Sequence, residues 1–165
     1  MKQEIKQAFN KQGYSFLLPI QEKAIPQILA HKNLFIQAAT GSGKTLAYLL
    51  PALEIAEATS NDTQVLIITP TRELALQVSE VAKNIANDSK HHIVTVIGGL
   101  DIHKQENALR HRPTIIIGTP GRLMDLYSQK KIDLSHLLLC VVDEVDMVIS
   151  TGQRKETEYL LQHTD

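Results

Sequence analysis

Five short runs of branched apolar residues constrain this 165-residue chain more than anything else in it. They are LFIQ (34–37), VLIIT (65–69), IVTVI (93–97), TIIIG (114–118) and LLLCVV (137–142). Each has strand length, and their continuous apolar character marks strands buried on both faces. Between them lie segments with helical spacing. From Glu73 to Ala86, the residues Leu74, Val78, Val81, Ala82 and Ile85 share one helical face. Residues 43–57, 102–109 and 121–128 are shorter helix candidates. Polar connectors at 58–63, 87–91 and 128–133 join these pieces, and Lys130-Lys131 reads as a solvated turn. Strands alternating with helices predict one α/β domain, with a mainly parallel sheet and helices on both faces. Ligands of such sheets bind beyond the carboxyl ends of the strands.

Composition narrows the setting. Seventeen basic against eighteen acidic residues give a net charge of −1, far from the excess of a protein that binds nucleic acid by bulk attraction. Any nucleic-acid contact should run through a few placed groups and backbone amides. The single cysteine, Cys140, lies in LLLCVVD and reads as a buried structural thiol. His91-His92 has no Cys, Asp or Glu at ligand spacing, so no histidine metal site is expected. No apolar run approaches membrane-spanning length, and MKQEIKQAFN carries no secretion signal. The cytoplasm is the expected location, with no membrane partner.

Two motifs carry chemistry. Residues 38–45, AATGSGKT, follow a predicted strand and precede a predicted helix. That is the context of a phosphate-binding loop, in which backbone N–H groups and the helix N-terminus cradle phosphates. Lys44 then reaches the β- and γ-phosphates, and Thr45 offers its hydroxyl to Mg²⁺. The plain alternative is an ordinary strand-to-helix turn. The second motif is VVDEVD (141–146), two adjacent carboxylates ending a buried strand, which is costly without a cation or polar partner. Asp143 is the candidate Mg²⁺ residue, and Glu144 the candidate base that orients and deprotonates an attacking water. An acidic helix N-terminus is the alternative here. PTRELA (70–75) and TPGR (119–122) each set Thr, Pro and Arg at a strand-to-helix turn. They read either as simple helix starts or, together with the Gly98-Gly99 pair, as a track for a phosphodiester backbone.

Taken in order, GYSFLLPIQ (13–21), AATGSGKT, PTRELA, Gly98-Gly99, TPGR and DEVD resemble the N-terminal RecA-like domain of DEAD-box ATP-dependent RNA helicases from Gly13 to Gly152. The resemblance implies a RecA-like P-loop NTPase fold with ATP and Mg²⁺ as cofactors. It places the nucleotide against Tyr14, Gln21, Ala38, Ala39, Thr40, Gly41, Ser42, Gly43, Lys44 and Thr45, with Gln21 reading the adenine edge and Tyr14 near the base. Glu144, Lys44 and Asp143 become the catalytic set, and Thr45 and Asp143 the metal residues. Pro70, Thr71, Arg72, Gly98, Gly99, Thr119, Pro120, Gly121 and Arg122 would contact the backbone of one RNA strand with little sequence specificity. Asp146 would couple the ATP site to strand separation.

The chain also departs from that pattern. Ala38 replaces the first glycine of the loop, Val145 the alanine of D-E-A-D, and Leu17-Leu18 the usual Pro-Thr. Glu4 stands where the family has an aromatic residue, and Gly152-Gln153 where Gly-Phe is common. The S-A-T motif and the second RecA-like domain do not appear in residues 1–165, so the domain is expected to be incomplete, truncated before its last strands. Residues 34–37 and 137–142 are then expected to border an opening in the sheet. The rival functions are a P-loop nucleotide kinase or GTPase, another superfamily 2 helicase or translocase, and a non-catalytic RNA- or protein-binding module. No N-K-x-D guanine reader is present.

Overall fold

In the computed structural model, which describes residues 1–87 and 89–164, four of the five apolar runs pair into one parallel sheet. Asp88, in the predicted 87–91 connector, and Asp165 lie outside the described residues. The strands are β1 (Val65–Ile68), β2 (Ile93–Val96), β3 (Ile115–Gly118) and β4 (Leu139–Val142), in the order β2-β3-β1-β4. The register sets Val65 beside both Ile115 and Leu139, and Ile93 beside Ile115. Eight helices surround the sheet among the described residues: α1 (Gln3–Lys11), α2 (Pro19–Leu29), α3 (Lys44–Ile55), α4 (Arg72–Ala86), α5 (Ile102–Arg110), α6 (Pro120–Ser128), α7 (Val145–Ser150) and α8 (Arg154–Leu161).

Strand periodicity divides the core in two. Val65, Ile67, Ile93, Ile115 and Ile117 point to one face, where they pack with Ile5, Phe9, Ala24, Leu49, Leu53, Val78 and Ala82 of α1 to α4. Leu66, Ile68, Val94, Val96 and Ile116 point to the other and meet Leu109, Leu123, Leu126 and Leu160 of α5, α6 and α8. All four β1 residues are fully buried. Each such side chain contributes about 1.5–3 kcal/mol relative to exposure, so the central strand anchors both layers. Local chemistry starts the helices where the turns end. Thr71 Oγ1 accepts from Leu74 N at 3.1 Å, and Asp101 Oδ1 accepts from His103 N at 2.9 Å. Pro19 and Pro120 occupy first-turn positions that need no N–H.

LFIQ is the exception. Residues 34–37 form no strand, and Phe35 is 80% exposed. A strand exists only where a neighbour completes its hydrogen bonds, and the sheet ends at β4. Residues 34–37 instead line one wall of a cavity of about 820 Å³ whose other wall is residues 137–146. LLLCVV likewise pairs only from Leu139, leaving Leu138 exposed. Cys140 on β4 is half-buried and lines the same cavity, less enclosed than its apolar run suggests, and burial pushes its thiol up to about 12. Among the described residues no helix is long and apolar enough to cross a membrane.

Candidate functional site

Every strand of a parallel sheet runs the same way, so the segments after β1, β2, β3 and β4 all emerge along one edge. Those segments are 69–72, 97–99, 119–122 and 143–146, the motifs singled out in the sequence. The order β2-β3-β1-β4 puts Gly98-Gly99, TPGR and PTRELA side by side, with the carboxylates at the β4 end.

At that end, residues 38–43 form a turn into α3. Gly41 and Gly43 adopt φ of +79° and +89°, the left-handed region that favours glycine. Gly43 is required on a second ground, because a Cβ there would lie 2.6 Å from Gln21 Nε2 and 2.7 Å from Leu18 Cδ1. No side chain caps α3, and Ser42 Oγ is buried with no partner among the described residues. The turn therefore leaves polar groups at a helix N-terminus, as an anion site does. Ala39 and Thr40 are exposed and Ala38 half-buried on the same turn. Lys44 and Ala38 line the 820 Å³ cavity together with Asp143, Glu144 and Asp146.

The carboxylates are held from the backbone. Asp143 N donates to Ile68 O at 2.8 Å, extending the β1–β4 ladder by one residue. Asp143 Oδ1 accepts from Glu144 N at 2.9 Å, and Oδ2 accepts from the Tyr48 hydroxyl at 2.7 Å. Burial first, and then the Asp143 charge, push the Tyr48 phenol well above its ordinary range, so it remains the donor. Glu144 itself sits at φ +50°, a strained backbone for a non-glycine residue of a kind concentrated at functional sites. Asp146 and Val145 are exposed on the short helix α7.

Gln21 is buried, 2% exposed, between two elements. Its Oε1 accepts from Leu18 N at 2.9 Å and its Nε2 donates to Gly43 O at 3.1 Å, tying the start of α2 to the loop. One N–H and one acceptor site of the amide remain for another partner. Tyr14 stacks on buried Phe9 with centroids 4.9 Å apart and keeps its own outer side 41% exposed.

Across the rest of the edge, Arg72 lies over the Gly98-Gly99 turn. A Cβ at Gly99, where φ is +77°, would fall 2.2 Å from Arg72 Nη1, and one at Gly98 3.3 Å from Nη2. Thr71 Oγ1 caps α4 and, being exposed, keeps its own O–H free to donate, while Pro70 is buried with its carbonyl accepting from Gln153 Nε2 at 2.8 Å. Thr119 N bonds Val96 O at 3.1 Å, Pro120 is buried, and Gly121 faces open space. Arg122 Nη1 reaches Asp125 at 3.0 Å, while its Nε and Nη2 are buried without a partner among the described residues. Unspent guanidinium N–H groups fit an oxyanion such as phosphate.

Three residues of this edge escape motif reading. Tyr48 looks like core filler at helical spacing. Gln153 stood out only as a departure from Gly-Phe, with no role attached, and Gln105, which pins Ile97 through both its amide atoms at 3.1 and 2.8 Å, lies in none of the quoted motifs.

Comparison with known proteins supplies the family and the fold. A family profile described as DEAD/DEAH box helicase matches residues 18–165. "ATP-dependent RNA helicase CshA" of Listeria monocytogenes is 40% identical over 162 residues, which is 98% of this chain and 31% of that protein. "DEAD-box ATP-dependent RNA helicase CshA" of Bacillus subtilis is 37% identical over 99% of this chain and 33% of its own length. Among solved structures, a DEAD box protein from Methanococcus jannaschii superposes with a TM-score of 0.94 at 31% identity, covering all of this chain and 45% of that one. A hypothetical ATP-dependent RNA helicase from Sulfolobus tokodaii gives 0.91 at 36% identity, covering 99% and 47%. The chain thus spans about a third of the curated relatives it matches. With its motifs in order along one sheet edge and the profile matched over most of its length, the chain belongs to the DEAD/DEAH box helicase family.

Proposed function

We propose that this chain is the N-terminal RecA-like, ATP-binding part of an RNA helicase, and that the whole protein couples ATP hydrolysis to local unwinding of RNA duplexes. The observation that carries the reading is the single cavity lined by Lys44, Asp143 and Glu144, with the Arg72 and Arg122 guanidinium groups on the same sheet edge. Lys44 binds the β- and γ-phosphates, with the N–H groups of residues 41–45 cradling them. Thr45 and Asp143 would hold Mg²⁺, their hydroxyl and carboxylate being hard oxygen donors of the kind this ion takes from a protein. Bound there, the ion neutralises phosphate charge.

Glu144 holds the attacking water and accepts its proton as the water oxygen bonds to the γ-phosphorus and the β–γ bridge breaks. Gln21, already fixed against the loop, offers its remaining donor and acceptor to the adenine edge. Arg72, Gly99, Thr119, Gly121 and Arg122 hold the backbone of one RNA strand, which confers little sequence preference. A second RecA-like domain of the parent chain supplies the remaining transition-state charge, and Asp146 links the two activities. The cytoplasm is the setting that this reading implies.

The test is Glu144→Gln in the full-length protein. Nucleotide affinity should hold while turnover falls by a factor on the order of 10² or more. Normal hydrolysis by that variant removes Glu144 from the role of base.

A further inference from the structure

Helix α3 is apolar wherever it is buried, with one exception. Leu46, Ala47, Leu49, Leu50, Ala52 and Leu53 fill the core, but Tyr48 brings a hydroxyl into it while being only 6% exposed. A buried hydroxyl costs stability unless it is bonded, and a plain apolar ring would fill the same space. This hydroxyl is bonded, to one specific group. It donates to Asp143 Oδ2 at 2.7 Å, a contact between residues ninety-five positions apart. Asp143 is one of the two residues assigned to Mg²⁺ above, and Thr45, the other, stands one turn before Tyr48 on the same helix.

We infer that Tyr48 is a positioning residue for the divalent cation, a phenol anchor that holds the Asp143 carboxylate in the orientation the ion requires. The inference rests on the nucleotide-site reading above and adds a residue to it. Asp143 is fixed from two sides, by the phenol on Oδ2 and by Glu144 N–H on Oδ1, so its carboxylate plane cannot rotate freely. Each oxygen keeps a second lone pair for a ligand. Mg²⁺ demands near-ideal octahedral geometry, which penalises a carboxylate free to swing. Partners that orient a metal ligand are commonly worth 10- to 100-fold in metal affinity. The anchor is rigid as well as polar, since the ring is clamped in the core beside Leu49 and Ala52.

The test is Tyr48→Phe in the full-length protein, which removes the oxygen and keeps the ring. A fluorescent adenosine diphosphate is titrated with excess Mg²⁺ and again with a chelator, in both proteins. The ratio of the two affinities measures how much the cation contributes. The expected result is an affinity in chelator unchanged within about twofold and a Mg²⁺-dependent gain reduced about tenfold or more. An unchanged Mg²⁺-dependent gain overturns the inference. So does an equal loss with and without Mg²⁺, because that assigns Tyr48 to the fold or the loop rather than to the cation. A wild-type protein that binds the nucleotide with no help from Mg²⁺ contradicts the metal assignment itself, and this inference falls with it.

Discussion

Replacing Gly99 by alanine tests the RNA track without touching any charge. Gly99 holds φ at +77°, where an L-residue costs about 1–2 kcal/mol, and its new Cβ would sit 2.2 Å from Arg72 Nη1 and 2.9 Å from Cζ. Ordinary carbon–nitrogen contact lies well beyond that, so the guanidinium must leave its place over the turn. If Arg72 donates a charge-assisted hydrogen bond to a phosphate, its displacement loses about 1.5–3 kcal/mol, on the order of 10- to 150-fold in RNA affinity. Gly99→Ala should therefore weaken single-stranded RNA binding nearly as much as Arg72→Ala, for unrelated sequences alike. Because alanine keeps the backbone groups through which Gly99 would meet the RNA, both changes act chiefly through one guanidinium, and the double variant should bind only slightly worse than either single one. Fluorescence anisotropy at several salt concentrations reads both quantities, and loss of one phosphate contact should flatten the salt slope by about 0.7. Wild-type affinity in Gly99→Ala, or full additivity with Arg72→Ala, would refute the placement of Arg72 on the RNA.

Gln21→Ala should lower the preference for adenine over guanine nucleotides in a competition assay. It should also destabilise the domain by about 1–3 kcal/mol in denaturant, since Leu18 N and Gly43 O lose buried partners. Stability should depend on pH through His91, half-buried between Ala56 O at 3.1 Å and Ser89 Oγ at 2.7 Å, where loss of solvent holds its pKa below the usual 6.5. The unfolded chain then binds the proton first, so this stability is whole above about pH 6.5 and is lost as pH falls through the folded pKa. A midpoint scan should show the decline, and His91→Gln should show less of it. Residues 1–165 alone should self-associate in sedimentation, because the outer edge of β4 and the exposed Phe35 offer an unpaired template. They should also show no RNA-stimulated ATPase.

How much of this was legible in the sequence varied with the kind of signal. Branched apolar runs with a neighbour on the sheet became β1 to β4, but LFIQ has the same composition and did not pair, because pairing belongs to the neighbour and not to the run. Helix α4 was visible from its apolar stripe. Helices α1 and α2 carry the same spacing in Ile5-Ala8-Phe9 and Gln21-Ala24-Ile25-Ile28, diluted by charge in one case and hidden under a motif in the other. The motifs fall together because the parallel sheet sends every strand end to one edge. Tyr48 was not legible as part of it. Nothing in KTLAYLLP distinguishes a ring that fills space from a ring whose hydroxyl reaches a carboxylate ninety-five residues away.

The most direct measurement of the central claim is steady-state ATP hydrolysis by the full-length protein, with and without a single-stranded RNA of arbitrary sequence. If one sheet edge binds ATP at Lys44, Asp143 and Glu144 and RNA at Arg72 and Arg122, RNA must raise the rate. That stimulation should vanish in Lys44→Ala and shrink in Arg72→Ala while their folds persist. A rate indifferent to RNA, or RNA-stimulated hydrolysis that survives in Lys44→Ala, would contradict the account.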